Sequence, residues 1–249
     1  MSGHSKWSTI KHKKGAADAR RGKIFTKLIK EITIAARMGG GDPDSNSRLR
    51  RAIDLAKSNN MPNDNVNRAV KKGTGELEGV SYEELTYEGV GPGGSLVLIH
   101  VVTDNRNRTA AELRKLFDRH NGSLSSAGTA GWAFEEKGVI TLAKEAATEE
   151  LLFDVAVGAG AEDVEQSDEQ WLITTAKADL DRVRDALRGA EIEVGSTELE
   201  MVAKNKKLVT GRDAEVMLNL IEALEDHDDV QKVFSDFELS DQDLKKLSQ

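Results

Sequence analysis

The sequence contains no cysteine and only three prolines among 249 residues. Without cysteine there is no disulfide, no cysteine-ligated zinc or iron–sulfur cluster and no thiol nucleophile. Aromatic residues make up only 4% of the chain, and no apolar run approaches the roughly 18 residues that a membrane span requires. The N-terminus is polar and basic, without the apolar core of a secretory signal. These absences predict a cytoplasmic protein, with a mitochondrial transit peptide as the alternative explanation of the basic N-terminus.

Patterns of catalytic and metal-binding residues are also scarce. Of the five histidines, His4 and His12 lie in the basic N-terminal stretch, without the spacing that places two metal ligands on one helix face. The glycine-rich segment 89–94 lacks the Gly-Lys-Ser/Thr ending of a phosphate loop and joins two predicted strands, so it predicts a hairpin turn. The acidic run 222–229 lacks the ligand order of a calcium loop. We therefore expect no catalytic residue, no metal, no cofactor and no enzymatic activity.

Positive and negative charges are separated along the chain. Residues 1–72 carry 17 Lys/Arg against 6 Asp/Glu, a net charge of +11, whereas residues 73–249 carry 18 against 37, a net charge of −19. Lysine and arginine often lie on helix faces only because those faces are exposed to solvent. Such an excess of positive charge within an acidic chain nevertheless favours a polyanionic partner. Cationic side chains displace the counterions that surround the phosphates of a nucleic acid, whatever its base sequence. We therefore expect the partner to be a nucleic acid.

The candidate nucleic-acid-binding residues begin in a polar, basic N-terminal arm, residues 1–22, which we expect to become ordered on its partner. The arm and the helix after it contain Lys6, Trp7, Lys11, Lys13, Lys14, Arg20, Arg21, Lys23, Lys27 and Lys30. Trp7 either stacks on a base or anchors the arm to the helical domain. Further cations outside the predicted apolar helix faces are Arg48, Arg51, Lys57, Arg68, Lys71 and Lys72. Arg106 and Arg108 either contact phosphate or belong to a loop that caps the next helix.

Residues 23–79 predict a small helical domain with a basic surface. The first helix has Phe25, Leu28 and Ile32 on one face and stops at the glycines of residues 39–41. A second helix is predicted at about residues 47–59, and a third follows Pro62 and ends at Gly73. Three short helices enclose only a small core, so their remaining faces should stay exposed and basic.

From residue 80 onward the pattern changes to strands alternating with helices. Strands are predicted at residues 82–88, 95–103 and 131–135, with a helix at 109–120. This order is an incomplete α/β unit, because the second helix and the fourth strand are missing.

The missing elements occur at the end of the chain. Residues 138–205 predict strand–helix–strand–strand–helix–strand, which is the ferredoxin-like plan, and residues 206–249 then supply one helix and one strand. We therefore predict an α+β protein with a small N-terminal helical domain followed by two ferredoxin-like α/β domains. The first of these is discontinuous, residues 80–137 plus 206–249, and the second, residues 138–205, is inserted in it.

Several motifs resemble those of the YebC/PmpR family. They are GHSKW (Gly3–Trp7), KGAADARRGKIFTKLIKEI (Lys14–Ile32), NMPNDNVNRAVKKG (Asn60–Gly73), YEGVGPGG (Tyr87–Gly94), TDNRNRTAAELRKLF (Thr103–Phe117), WAFEEKG (Trp132–Gly138) and VQKVFSDFEL (Val230–Leu239). The motifs cover nearly the whole chain in order. Because the first begins within three residues of Met1, the resemblance favours a bacterial-type cytoplasmic member over a cleaved transit peptide. Val90 and Asn121 depart from the family pattern, without bearing on the choice of ligand.

The resemblance implies three domains and a role in gene expression. Members are commonly described as DNA-binding transcriptional regulators, and relatives that include a mitochondrial translational activator are associated with ribosomes and with relief of stalled translation. We therefore expect a monomeric regulator that binds duplex DNA, with no membrane and no small-molecule substrate. The alternative is a ribosome- or rRNA-binding translation factor. The helices offer no obvious base-contacting set of Asn, Gln and Arg, which favours RNA on physical grounds, whereas the family description favours DNA.

Overall fold

The computed structural model describes residues 17–166, 170–240 and 243, with side chains from residue 22 onward. The described chain divides into two compact units. Ala133–Lys206 forms one, called the inserted unit, and the described parts of Lys13–Trp132 and Lys207–Gln249 form the other, called the main unit. Within the described residues, no helix has both the length and the apolar character needed to cross a bilayer.

Helices and strands alternate after three initial helices. In chain order the elements are α1 (Ala17–Gly39), α2 (Ser47–Ser58), α3 (Asn63–Gly73), β1 (Glu83–Val90), β2 (Leu96–Thr103), α4 (Arg106–Arg119), β3 (Ser123–Ser125), β4 (Phe134–Ala143), α5 (Glu149–Gly158), β5 (Ala161–Gln166), β6 (Gln170–Ala176), α6 (Leu180–Gly189), β7 (Ser196–Ala203), β8 (Lys207–Val209), α7 (Gly211–Glu225), β9 (Val230–Ser235) and β10 (Phe237–Leu239). The predicted α+β fold class is confirmed.

The three N-terminal helices pack around a core of small and aliphatic side chains. It contains Leu28, Ile32, Ala35, Ala36, Leu49, Ala52, Ala56, Met61, Val66 and Ala69. Asn46 fixes the start of α2, because its carboxamide oxygen accepts from the Leu49 amide at 3.1 Å while its Nδ2 donates to the Ala35 carbonyl at 2.8 Å. Gly73 ends α3 where a Cβ would collide with the Thr33 carbonyl of α1. The two helices can therefore approach this closely only with glycine there.

The main unit also contains a four-stranded antiparallel sheet in the order β3-β1-β2-β9. A short 3-10 turn at Pro92–Gly94 joins β1 to β2, with positive φ at Gly93 and Gly94, and it confirms the predicted hairpin. Val97, Ile99 and Val101 of β2 are fully buried. The sheet has the spatial arrangement of the ferredoxin-like plan, with β2, β3 and β9 in the positions of its first, second and fourth strands. The position of its third strand is occupied by β1, which precedes the other three along the chain. A separate parallel pair is formed by β8 and β10.

The inserted unit follows the ferredoxin-like plan in both sequence and space. Its antiparallel sheet has the order β5-β6-β4-β7. The core between this sheet and helices α5 and α6 contains Ile140, Leu142, Leu152, Trp171, Ile173, Val183 and Leu187.

Several boundaries differ from the sequence-based expectations. The segment 131–135 was expected to be a strand of the first α/β domain, but Gly131–Ala133 is a 3-10 turn and Phe134 begins β4, one continuous strand of the inserted unit. The polar strand β3, which periodicity does not reveal, occupies the sheet edge instead. Helix α1 begins at Ala17, inside the predicted arm. Helix α4 begins at Arg106, because the Asn105 side chain caps it by accepting from the Arg108 amide.

Candidate nucleic-acid interface

The predicted binding residues of the arm can be placed only in part. Lys6, Trp7, Lys11, Lys13 and Lys14 lie outside the described residues. Arg20 and Arg21 belong to the first two turns of α1, where the backbone alone is described. These seven residues therefore remain predictions.

The next three predicted cations, on α1, contact the end of α7 and the turn that follows it. Lys23 Nζ lies 2.5 Å from the Asp226 carboxylate and 3.2 Å from the Asp226 carbonyl oxygen. Lys27 Nζ donates to the Glu225 carbonyl at 2.5 Å. Because α1 has 3.6 residues per turn, Lys23, Lys27 and the later Lys30 lie along one face. All three thus have protein partners in this structure.

Lys30 reaches a buried acidic group, Asp229, that joins three parts of the main unit. Its Nζ lies 2.7 Å from Asp229 Oδ1 and 2.9 Å from the Asp228 carbonyl oxygen. Asp229 Oδ2 accepts from Arg108 Nη2 at 2.8 Å and from Thr109 Oγ1 at 2.7 Å. Burial by itself would raise the pKa of the Asp229 carboxyl, but hydrogen bonds from Lys30, Arg108 and Thr109 hold that pKa well below its usual range. The carboxylate stays charged and ties α1 and α4 to the segment before β9.

Arg108 therefore has a structural partner in the protein. Its hydrogen bond to Asp229 is the main reason that its pKa is raised, with Asp104 at 2.8 Å adding to the effect. Arg106, the other cation of this loop, is exposed in the first turn of α4 and accepts a hydrogen bond from the Tyr87 hydroxyl through its carbonyl oxygen at 3.3 Å. The loop does cap the next helix, through Asn105, and a phosphate contact of the exposed Arg106 stays a prediction.

Arg48 also has partners on two other segments of the main unit. Its guanidinium donates to both carboxylate oxygens of Glu31 at 2.7 and 3.0 Å and to both oxygens of Glu84 at 2.9 Å. Burial would lower the pKa of Arg48, but these hydrogen bonds outweigh it and raise that pKa above its usual value. Two bidentate contacts fix a guanidinium strongly. Arg48 therefore joins α2 to α1 and β1.

The remaining predicted cations face solvent on α2 and α3. They are Arg51, which is half-buried, and the exposed Lys57, Arg68, Lys71 and Lys72. Within the described ranges, none of these five side chains has a hydrogen-bond or ion-pair partner. Arg68, Lys71 and Lys72 are spaced by three and four residues, so they share one face of α3, opposite the buried Val66 and Ala69. This face is the densest group of cations available to a ligand in the described helical region.

The connection between α2 and α3 has the length of a helix-turn-helix. Only residues 59–62 separate the two helices, and Asn60 adopts a positive φ of 58° in that turn. Asn63 and Asn67 are exposed in the first half of α3. Asparagine in this position can bond to base edges. Sequence reasoning overlooked these two residues, although the asparagines that follow Pro62 were a visible signal.

One group of possible metal ligands occurs among the described residues. Glu112, His227 and Asp229 place their ligand atoms within 4.8 Å of one another. His227 Nδ1 accepts from the Asp229 amide at 3.1 Å, and its Nε2 lies 2.9 Å from Glu112 Oε2. Asp229 already binds the cationic groups of Lys30 and Arg108, which repel a divalent cation. The donor set therefore does not fit a metal.

Comparison with known proteins places this chain among established relatives. The model for the TACO1/YebC protein N-terminal domain matches residues 5–76, and the model for the TACO1/YebC second and third domain matches residues 82–237. The chain is 54% identical to the "Probable transcriptional regulatory protein GSU1074" of Geobacter sulfurreducens over 99% of this chain and 100% of that protein. It is 55% identical to a "Probable transcriptional regulatory protein" of Desulfosudis oleivorans over 97% of this chain and 98% of that protein.

A solved structure agrees with these similarities. The crystal structure of the conserved hypothetical protein Aq1575 from Aquifex aeolicus has a TM-score of 0.85 and 41% identity, covering 91% of this chain and 93% of that chain. The matched models span most of the sequence, and the relatives are matched over nearly their full length. The chain therefore belongs to the TACO1/YebC family.

Proposed function

We propose that this protein is a non-enzymatic regulator of gene expression that binds nucleic acid through its basic N-terminal region. The observation that carries the proposal is the solvent face of α3, where Arg68, Lys71 and Lys72 are exposed. Relatives more than half identical are named probable transcriptional regulatory proteins, which supports a role in regulation.

Duplex DNA is the ligand that α3 fits best. An α-helix enters the major groove, where asparagine can bond to adenine while lysine and arginine contact the flanking phosphates. Asn63 and Asn67 lie on α3 ahead of its cations along the chain. A turn of four residues, 59–62, joins α3 to α2. These features support the use of α3 as a recognition helix.

Ribosomal RNA is the second candidate, and one feature of α3 favours it. Asp64 is exposed in the first turn of α3, one turn before Arg68. A carboxylate there would repel the phosphates that flank a major groove, whereas irregular RNA can present its phosphates to the cations alone. In this case the protein would be a translation factor, and the cations of residues 6–14 would also contact rRNA.

The deciding experiment compares the binding of the full chain to duplex DNA and to ribosomes at the same, near-physiological salt concentration. The Arg68→Gln/Lys71→Gln/Lys72→Gln variant should bind its ligand more weakly, with a salt-dependence slope lower by about 2 to 3, because each lost phosphate contact removes about 0.7 to 0.9. Arg188→Gln, which removes one exposed cation from the acidic inserted unit, is the control for loss of surface charge outside α3 and should bind as the wild type does.

Each outcome has a defined meaning. A preference for DNA by orders of magnitude supports the transcriptional role, and the same preference for ribosomes supports the translational one. If neither ligand is bound, or if the α3 variant binds as well as the control, the proposed function is wrong.

A further inference from the structure

The C-terminal end of α7 concentrates negative charge. Glu222 and Glu225 lie in its last turn, Asp226 is the C-cap, and Asp228 and Asp229 follow, with no basic residue in that turn. A helix C-terminus already has a partial negative charge from its unpaired carbonyl groups, so carboxylates there are unfavourable unless cations compensate them. The compensation comes from α1, whose lysines bind both the carbonyl oxygens and the carboxylates. The acidic helix end, residues 222–229, thus presents these lysines with a dense set of anionic oxygens.

The three lysine contacts differ in how easily a competitor can displace them. The Lys30–Asp229 pair is buried, with side-chain exposures of 10% and 4%. The Lys23–Asp226 pair is open to solvent, with exposures of 41% and 70%, so its net stabilisation is small. Lys27 is half-buried and donates to the Glu225 carbonyl oxygen at 2.5 Å, an uncharged acceptor that a phosphate can replace. A phosphate backbone could therefore draw Lys23 and Lys27 away while Lys30 keeps α1 in place.

We propose that the acidic helix end is an intramolecular phosphate mimic that competes with nucleic acid for Lys23 and Lys27. In the unbound protein it satisfies these two cations and lowers the affinity for nucleic acid. A polyanion of higher charge density displaces it without unfolding α1, because the Lys30–Asp229 pair persists. This inference rests on the proposed function and adds an internal competitor to it.

Asp226→Asn tests the competition. Asparagine suits the C-cap position and removes a negative charge from a helix C-terminus, so the fold should be retained. The variant should bind duplex DNA or ribosomes about two- to five-fold more tightly than the wild type, the range expected for loss of an exposed ion pair. Glu222→Gln is the matched control, because it removes one exposed charge from the same helix end, where the described residues show no contact of that carboxylate with α1.

A double-mutant cycle with Lys23→Gln separates local competition from general electrostatics. The gain from Asp226→Asn should disappear in the Lys23→Gln background, since the freed lysine is no longer present. If the gain persists there, if Glu222→Gln produces the same gain, or if Asp226→Asn leaves or lowers the affinity, the proposal is overturned. Absence of nucleic-acid binding by the wild type would instead refute the proposed function.

A second measurement does not depend on any variant. The Nζ resonance of Lys23, observed by NMR in the wild-type protein, should shift on saturation with a short DNA duplex, whereas that of Lys30 should not. A shift at Lys30 as large as that at Lys23, or none at Lys23 when the duplex is bound, would contradict the proposal.

Discussion

Replacing Asp229 with alanine should destabilise the main unit by about 3–5 kcal/mol, the usual cost of breaking a buried ion pair by removing one partner. Alanine would leave the Lys30 ammonium, on a side chain only 10% exposed, without its carboxylate. Arg108 is 43% exposed and would retain Asp104, so it contributes less to the loss. Thr109 loses one acceptor at 2.7 Å but keeps the Asn105 carbonyl oxygen at 3.1 Å. Most of the cost therefore comes from the stranded lysine.

Thermal unfolding followed by circular dichroism measures this loss. For a domain of this size, about 2–4 °C per kcal/mol corresponds to a decrease in melting temperature of about 6–20 °C. Asp228→Ala is the matched control, because Asp228 is exposed and contacts Lys30 through its carbonyl oxygen, which alanine preserves. This control should stay within about 0.5 kcal/mol of the wild type.

A second substitution shows whether the buried Lys30 ammonium, left without its carboxylate, causes the loss of stability. Adding Lys30→Met to Asp229→Ala removes the buried ammonium and should restore part of the stability, as apolar replacements of buried pairs do. The reasoning is refuted if Asp229→Ala costs no more than Asp228→Ala, or if Lys30→Met makes the alanine variant still less stable.

Further predictions concern pH, the arm and the isolated basic region. The pKa of Asp229 is lowered in the folded state. The stability that the Asp229 carboxylate gives to the fold is therefore complete above the ordinary Asp pKa of about 3.9 and is lost as the pH falls through the folded pKa. Acid titration should thus destabilise the wild type more steeply than Asp229→Ala. Deleting residues 1–16, which ends before α1, should preserve the circular dichroism spectrum and lower the salt slope on duplex DNA by up to about 4; an unchanged slope would exclude the arm from binding. The fragment of residues 1–72 should bind nucleic acid at least as tightly as the full chain but with less selectivity, because it lacks the acidic remainder; much weaker binding to every ligand would mean that the α/β portion makes essential contacts.

The sequence predicted much of the fold because local patterns determine it. Apolar spacing indicated three N-terminal helices, and Gly73 and Pro62 marked two of their boundaries. The order of elements in residues 138–205 indicated a ferredoxin-like unit, since short alternating strands and amphipathic helices carry clear periodicity. β3 was missed, because three polar residues at a sheet edge have no periodic pattern, and β4 was divided in two because Gly138 interrupts its apolar alternation.

The candidate site was predictable in composition but less so in arrangement. Charge counting placed the cations in residues 1–72, and helical spacing placed Arg68, Lys71 and Lys72 on one solvent-facing stripe. Neither charge counting nor helical spacing could show which cations have protein partners. Lys30 pairs with an aspartate 199 residues later in the chain, and Arg48 with a glutamate 36 residues later. The sequence gives no sign of such pairings, because they depend on how helices and strands pack.

What the sequence determined by itself was therefore the type of each long element, the separation of charge and the absence of cysteine chemistry. These follow from residue identity and from contacts within a few residues. The tertiary structure alone decided that Lys23, Lys27 and Lys30 contact the acidic end of α7, while the cations of α3 have no protein partner among the described residues. The physical reason is that a lysine side chain is the same in both places, and only the position of a distant carboxylate or carbonyl oxygen determines whether its charge is already compensated.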